Sequence, residues 1–345
     1  MRRRQAQFVI VFFLATLATV LVYDARQGVY ARWLEANPPR REALLSGRWA
    51  QQSDAYFEEH SAFMRTTRPW RNEWLLSAFR ETPPEVVLGP DDWLFLRESF
   101  QPMGPPGRTT RWHEMHGLAQ IIEARFTGPE TRYLVCVMPA KWRLYPEHMP
   151  DYDIDPGRVA LYDAAMTELQ ARGLTTIDLL SIMRGWKRED PRTLLFAPND
   201  THFSEAAFAK LAVLLADRLC GEDPGRARHR LELLPREAKV FAGDLPRNLQ
   251  IRPDSSVGRR FAHEERRFLA PTPANDESAE ILVLGDSFFL THDGIFQRLI
   301  QVAAQKPVDA RYAGWQSVPV GDLMATWGQR PPRYLLLAVT ERRFN

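Results

Sequence analysis

The residues best suited to chemistry lie in two short segments, Asp200–His202 and Gly285–Ser287. The second segment follows the apolar run Ile281–Leu284 and precedes two phenylalanines, which predicts a buried strand, a tight turn and a helix. A serine at such a turn lies at the carboxyl end of a strand and the N-terminus of a helix. Backbone N–H groups and the positive helix end stabilise an oxyanion there, which favours Ser287 as a nucleophile.

A serine needs a base to become a nucleophile, and His202 is the candidate. With one residue between them, Asp200 and His202 reach the same side of an extended or turning backbone. Asp200 would accept the Nδ1–H of His202, which leaves Nε2 to take the proton of Ser287. The alternative is that Ser287 only caps a helix and that residues 199–201 only shape a turn. Both segments together favour a Ser–His–Asp triad.

Other histidines compete for these roles. His292 lies five positions after Ser287 on the same predicted helix, and His263 lies in a charged segment. His113 and His116 have a spacing that could hold a metal ion, but the His-Glu-x-x-His pattern and an obvious third ligand are missing. We therefore expect neither a metal nor a soluble cofactor.

Composition limits the classes of function. The chain has 345 residues, 45% of them hydrophobic, and a formal net charge of +2. This length is enough for one large α/β core with an appendage, and the charge does not call for nucleic acid. Two cysteines far apart, Cys136 and Cys220, do not make a disulfide framework.

The N-terminus predicts a membrane anchor. Three arginines precede a 16-residue apolar run from Phe8 to Tyr23. The run is shorter than the ~20 residues of a comfortable span, and the apolar core of a cleaved signal peptide is the alternative. No small-x-small cleavage site follows the run, which favours an anchor. We expect an uncleaved signal anchor over residues 1–26 that places the body of the protein outside the inner membrane, in the bacterial periplasm.

The remaining chain reads as an α/β fold. Strands alternate with helices, which predicts a three-layer α/β/α arrangement around a mostly parallel sheet. Residues 221–275 are polar and rich in proline and arginine, and we expect a loop-rich insertion with short strands there. The predicted elements are helical residues 31–79, a hairpin over 86–96, helices at 111–126, 160–172, 205–219 and 288–304, and strands at 133–138, 175–179, 281–285, 309–313 and 334–339.

Residues 139–147 follow a predicted strand, and loops after strand ends face the site in parallel sheets. Lys141, Arg143 and Tyr145 in this loop are therefore candidate substrate contacts, with a solvated turn as the equal alternative.

Taken together, the motifs resemble the SGNH-type domain of the alginate O-acetyltransferase family over roughly residues 45–345. Ordinary SGNH esterases place the serine early and the histidine late, so the order here resembles a circularly permuted one. Asp92 departs from the family's usual glycine. The matching pieces are Gly89–Phe95, Pro139–Lys141, Tyr145–Glu147, Asp200–Phe203, Gly243–Leu245, Leu284–Phe288 and Glu341–Arg342.

The resemblance implies an SGNH hydrolase-like acetyltransferase domain over residues 27–345. Its expected function is O-acetylation of a bacterial exopolysaccharide through an acetyl-serine intermediate on Ser287. The expected partners are the polysaccharide acceptor and a membrane-bound O-acyltransferase that supplies the acetyl group. Two alternatives stay open: an SGNH-type carbohydrate esterase that uses the same triad, and a non-catalytic polysaccharide-binding scaffold of a secretion complex.

Overall fold

A computed structural model describes residues 15–16, 18–102, 130–241, 243–272, 279–290, 294–312, 327 and 330–344. Within them the chain forms two compact units. The N-terminal unit comprises Met1–Glu81 with Gln250–Val257, and the main unit comprises Thr82–Leu249 with Gly258–Asn345. The predicted boundary after residue 26 lies inside the N-terminal unit. The predicted helix at 111–126 lies outside the described residues.

The N-terminal unit is helical, as predicted for residues 31–79. Residues 18–26 are helical and lead into α1 Val29–Ala36, α2 Arg41–Leu45, α3 Arg48–His60 and α4 Ala62–Phe79. Asp24 ties the first helix to the last, because its buried carboxylate accepts the hydroxyl of Ser61 at 2.5 Å and the backbone N–H of Phe63 at 3.0 Å. None of the described helices is both long and apolar enough to cross a bilayer. Most of the predicted anchor, residues 8–23, lies outside the described residues.

The main unit is built on a five-stranded sheet in the order β4-β3-β9-β7-β8, and every pair in it is parallel. The mostly parallel sheet is thus confirmed. β7 and β9 are buried along their whole length, as continuous apolar runs in parallel sheets are. The strands in the described part of the chain are β1 Val86–Leu88, β2 Leu94–Leu96, β3 Arg132–Met138, β4 Thr176–Ile177, β5 Arg236–Phe241, β6 His263–Phe268, β7 Ile281–Gly285, β8 Val308–Tyr312 and β9 Tyr334–Thr340.

Capping residues determine where helices of the main unit begin and end. Ser204 caps α8 by accepting the backbone N–H of Ala207, and Gly221 ends this helix with φ 72°. The helices are α5 Lys141–Leu144, α6 Pro156–Ala171, α7 Leu179–Glu189, α8 Glu205–Cys220, α9 Pro224–Glu232, α10 Leu245–Leu249, α11 Ser256–Arg260 (which begins in the N-terminal unit), α12 Ser287–Leu290 and α13 Ile295–Ala304.

Two predictions need correction. In the segment 221–275 the expected short strands are present as an antiparallel ribbon of β5 and β6. The helices α9, α10 and α11 in the same segment were not expected. The long helix expected over 288–304 is described as two shorter helices, α12 and α13.

The sheet brings separate parts of the chain to one edge. The register pairs Met138 of β3 with Thr340 of β9, and Gly285 of β7 with Ala338 of β9. The segments that follow β3, β7 and β9 therefore leave the sheet side by side. In parallel sheets this carboxyl edge is where ligands bind.

Candidate active site

The turn that carries the predicted nucleophile follows β7 directly. Ser287 begins α12 there, and its hydroxyl lies outside the described part of the structure. Asp286 before it is 1% exposed. One of its carboxylate oxygens accepts the backbone N–H of Phe288 at 3.0 Å, and the other accepts the backbone N–H and the hydroxyl of Thr340 at 3.2 and 2.7 Å. Asp286 thus fixes the turn to the end of β9.

The predicted base and its acid form a buried pair. His202 Nδ1 and Asp200 Oδ1 lie 2.6 Å apart, and the same oxygen accepts the backbone N–H of His202 at 2.7 Å. This bond turns the opposite ring nitrogen, Nε2, away from Asp200. The imidazole packs on Phe288, with ring centroids 5.0 Å apart. The predicted base therefore lies beside the residue that follows Ser287.

A second carboxylate, that of Asp244, lies beside Asp200 and His202, and the predicted triad did not include it. Asp244 Oδ2 lies 3.6 Å from His202 Nδ1. The Asp244 carboxylate accepts the backbone N–H of Thr201 at 2.8 Å and also the Thr201 hydroxyl. In return, the backbone N–H of Asp244 donates to Asp200 Oδ2 at 3.0 Å. Burial raises the pKa of Asp244, and the charge of Asp200 raises it further, while His202 lowers it.

Asp200, His202 and Asp244 also form a set whose ligand atoms lie within 4.8 Å of one another, as a metal site requires. Two ligands bound at ~2.1 Å with tetrahedral angles lie ~3.4 Å apart. The 2.6 Å between Asp200 and His202 is instead the length of a short charge-assisted hydrogen bond. The distance therefore fits an imidazole that is oriented by a hydrogen bond to a carboxylate.

Gly243 lets the second carboxylate approach. Its φ is +68°, and a Cβ added there would lie 2.1 Å from the backbone oxygen of Asn199. Both facts require glycine. The Asn199 side chain in turn donates to the backbone oxygens of Phe241 and Phe261 at 3.0 and 2.6 Å. The segment before Asp200 is thus held against the segment before Asp244.

The Lys141 side chain, predicted to contact substrate, points into the protein. It is 7% exposed, and its Nζ donates to four backbone oxygens, those of Leu94, Ala197, Pro198 and Asp200, at 2.7–3.1 Å. Burial lowers the pKa of Lys141 to about 7, and the nearby aspartates oppose that shift. Lys141 therefore fixes the loop that ends at Asp200.

Arg143 and Tyr145, the other two predicted substrate contacts, also have partners inside the protein. Arg143 Nε lies 2.8 Å from both carboxylate oxygens of Glu341, which is 3% exposed. The Tyr145 hydroxyl accepts the backbone N–H of Leu195 at 2.7 Å, and burial raises the pKa of this hydroxyl. These side chains stabilise the loop from inside the protein, and a direct contact of the loop with substrate stays a prediction.

A small cavity of about 40 Å³ lies at the carboxyl ends of β3 and β9, beside the triad segments. Thr201 and Phe288 bring the histidine and serine segments to its wall. Its described lining is mostly apolar and consists of Phe95, Leu96, Ser99, Met138, Pro139, Ala140, Lys141, Trp142, Phe196, Thr201, Leu245, Phe288, Thr340, Glu341 and Arg342.

Of the competing histidines, only His263 lies in the described part of the chain. His263 lies in β6. His113, His116 and His292 lie outside the described residues. Of the residues that build the site, sequence reasoning assigned no role to Asp244, Gly243, Asn199 or Asp286. A Gly-Asp pair inside a polar segment was the one signal for the first two, and it was noted only as part of a resemblance.

Comparison with known proteins agrees with this fold. The family model for the SGNH hydrolase-like domain of the acetyltransferase AlgX matches residues 86–314, more than half of the chain. The O-acetyltransferase domain of Pseudomonas putida AlgJ has a similar fold, with a TM-score of 0.54 at 19% identity. That likeness covers 75% of this chain and 91% of the AlgJ domain.

Curated relatives carry one name, probable alginate O-acetylase AlgJ. The Pseudomonas aeruginosa protein is 29% identical over 222 residues, which is 61% of this chain and 52% of that protein. The Pseudomonas syringae pv. tomato protein is 25% identical over 221 residues, 61% of this chain and 53% of that protein. This chain thus spans about half the length of these relatives. With the family model matching most of its main unit, the chain belongs to the AlgJ/AlgX-like family of SGNH hydrolase-like acetyltransferases.

Proposed function

We propose that this chain is an O-acetyltransferase that acetylates hydroxyl groups of a bacterial exopolysaccharide through an acetyl-serine intermediate. The observation that carries the proposal is the buried His202–Asp200 pair, with its 2.6 Å hydrogen bond, packed against the residue after Ser287. A base oriented by a carboxylate beside a strand-end serine is the arrangement that activates a serine hydroxyl.

Two half-reactions follow from these residues. Ser287 Oγ attacks the acyl carbon of the donor while its proton moves to His202 Nε2. The imidazolium then gives that proton to the leaving group, and an acetyl ester remains on the serine. A sugar hydroxyl attacks this ester in turn, its proton passes to His202, and the serine leaves with that proton. Asp200 stabilises the imidazolium in both halves.

The small cavity fits the acyl part of this reaction. Its lining includes Phe288 and Thr201 from the triad segments and Met138 and Phe196 from the core. Apolar walls suit a methyl group, and the small volume suits a short acyl chain. We place the methyl group of the acetyl ester in this cavity.

The location and the partners belong to the same proposal. An anchor over residues 8–23 would hold the main unit in the periplasm, where no acetyl-CoA is available. A membrane-bound O-acyltransferase would then deliver the acetyl group to Ser287. The permuted order, with Asp-x-His before Gly-Asp-Ser, would be the variant of the SGNH arrangement that this family uses.

The test uses an aryl acetate as donor and polysaccharide-derived oligosaccharides as acceptors. Mass spectrometry of the intact protein should show one acetyl group on the wild type and none on Ser287→Ala. Acetylated oligosaccharide should form with the wild type and be lost in Ser287→Ala and His202→Ala, whereas His229→Ala, an exposed histidine of α9, should retain activity.

Three outcomes would contradict the proposal. Release of free acetate that no acceptor diverts would indicate an esterase. Glycan binding without any acetyl-protein would indicate a scaffold. Full activity in His202→Ala together with loss of activity in His292→Ala would show that the base is a different histidine.

A further inference from the structure

We propose that Asp244 is a positioning residue of the triad, a second carboxylate that orients the imidazole of His202 and stabilises its charged form. This inference rests on the proposed function, because it assigns a role within the same acyl transfer. It is carried by the contacts of Asp244 with the segment that holds the acid and the base.

Those contacts are reciprocal. The Asp244 backbone N–H holds one oxygen of Asp200 at 3.0 Å, and the other Asp200 oxygen meets the imidazole. The Asp244 carboxylate holds the backbone N–H of Thr201 at 2.8 Å, and Thr201 joins Asp200 to His202. Asp244 therefore fixes both the acid and the peptide link between the acid and the base.

The charge of Asp244 also faces the imidazole. Its Oδ2 lies 3.6 Å from Nδ1, and its side chain is 35% exposed, so water screens the interaction in part. When His202 takes the serine proton, an imidazolium forms between two carboxylates. Both negative charges stabilise this imidazolium.

Other charged groups act on the same cluster. Lys141 from α5 interacts electrostatically with both aspartates, and Glu265 from β6 interacts with Asp200. Neither residue is replaced in the variants below. The Asp244 charge also raises the pKa of Lys141, so the NMR shift of the His202 ring protons identifies the group whose titration moves.

The proton balance gives the direction of the effect. The proton of Ser287 moves to His202 and then to the leaving group, so the imidazolium is transient. In Asp244→Asn one neighbouring negative charge is gone, and protonation of the resting imidazole needs a lower pH. The acidic limb of the kcat/KM profile for an aryl acetate should move down by about 1 pH unit.

At the pH of the plateau, kcat should fall about tenfold in Asp244→Asn, because the imidazolium is less stabilised in the transition state. KM for the aryl acetate should change little. Asp244→Ser, a second neutral replacement, should move the acidic limb in the same direction. Asp223→Asn is the matched control: Asp223 also accepts a backbone N–H, that of Arg226 at 2.8 Å, but it lies at the start of α9.

Thr201→Val separates charge from scaffolding. It removes the hydroxyl bond to Asp244 and keeps both carboxylates. We expect a lower thermal midpoint in Thr201→Val and an acidic limb at the wild-type pH. If Asp244 had a purely structural role, both neutral Asp244 variants would have lower thermal midpoints. The acidic limb of their kcat/KM profiles would stay at the wild-type pH.

The following results would contradict the inference about Asp244 or the proposed function. An unmoved limb in folded Asp244→Asn, or failure of both neutral variants to fold, overturns the inference. Loss of wild-type activity on chelation, with recovery on adding Zn²⁺, would show that the three groups hold a metal and overturn it too. If the wild type turns over and Ser287→Ala does not, the proposed function stands whatever Asp244 does. If the wild type forms no acetyl-serine, the proposed function itself fails.

Discussion

The two halves of the site are positioned by different means. The nucleophile turn, residues 285–288, continues a fully buried strand, and Asp286 ties it to the adjacent strand end. The base loop, residues 197–202, belongs to none of the described strands. An isolated bridge joins Phe196 and Phe203 at its borders, and single backbone bonds reach it from Leu94 and Leu245. Regular sheet register places the first half, and buried polar contacts from distant segments place the second.

This difference locates the weak point of the site. Lys141 and Asp244 come from segments more than 40 residues away from the base loop, and their bonds to it are buried or partly buried. Breaking one of them leaves a polar group without its partner, which costs more than the bond itself contributes. Substitutions that support the base loop should therefore be more damaging than those that support the nucleophile turn.

Lys141→Met should have the largest effect. Methionine is unbranched and one atom shorter than lysine, and the change removes the donor from four backbone oxygens, three of them in the base loop. We expect a loss of about 3–5 kcal/mol in the free energy of unfolding and of nearly all acetyl transfer. Urea unfolding and the aryl acetate assay measure the two losses.

Lys187→Met is the matched control for this substitution. Lys187 donates to the backbone oxygen of Leu144 at 2.6 Å and to the half-exposed carboxylate of Glu147. Because water reaches this pair, we expect a loss of about 1 kcal/mol or less. Equal losses in the two variants would contradict the assignment of Lys141 as the support of the base loop.

Gly243→Ala should come next. The added Cβ would meet the Asn199 backbone oxygen at 2.1 Å, and φ at this position is +68°. We expect a loss of about 2–4 kcal/mol, with a fall in kcat because the base loop must shift. Gly173→Ala is the control, since φ there is +75° but nothing lies within 4 Å of the added Cβ. It should lose only about 1–2 kcal/mol, the cost of the backbone conformation alone.

The same contrast explains what sequence reasoning achieved. The apolar run Ile281–Leu284 and the turn after it were predictable, because a buried parallel strand is a continuous apolar run in the sequence. The end of that run fixes the position of the serine. The Asp200–His202 pair was found because its members are close in sequence.

The supports of the base loop were not predictable in the same way. Lys141 looked like a surface cation after a strand, and no local pattern shows that its Nζ meets oxygens of residues 94 and 197–200. Asp244 and Gly243 lie in a segment without clear periodicity. Their roles depend on a close approach of two loops, and that approach is a property of the tertiary structure.

The nucleophile turn should respond more mildly. Thr340→Val removes the hydroxyl that donates to Asp286 at 2.7 Å but keeps the backbone N–H bond to the same oxygen. We expect a loss of about 1–2 kcal/mol, as for a hydrogen bond to a charged acceptor, and a partial loss of activity. Thr131→Val is the control, because its hydroxyl donates at 2.7 Å to a neutral oxygen, that of Pro332, just before β3 and β9. A greater loss of activity in Thr340→Val than in Gly243→Ala would reverse the proposed ranking of the two halves.

The smallest effect should come from the far side of the base loop, where α8 begins. The backbone N–H of Glu205 donates to Glu265 at 2.6 Å, and the Glu205 carboxylate accepts the backbone N–H of Phe268 at 2.6 Å. Burial raises the pKa of Glu265 to about 7, and the hydrogen bond from Glu205 opposes that shift only in part. The ribbon of β5 and β6 is therefore joined to α8 through a carboxyl group that resists ionisation.

The sign of the pH dependence follows from that shift. Between pH 4.5, the ordinary pKa of a glutamate, and about pH 7, folded Glu265 keeps a proton that the unfolded chain has lost. The stability it contributes is therefore complete below about pH 4.5 and is lost as the pH rises through about 7.

Glu265→Gln cannot ionise and retains an oxygen for the Glu205 N–H. Above pH 7 it should exceed the wild type by about 1 kcal/mol, a value discounted for the partial exposure of the site. Urea unfolding at pH 4.5 and pH 8 measures the difference, which should shrink at the lower pH. Glu264→Gln, an exposed neighbour on the same strand, should show no such dependence. A stabilisation by Glu265→Gln that is equal at both pH values would mean that ionisation of Glu265 does not act on the start of α8.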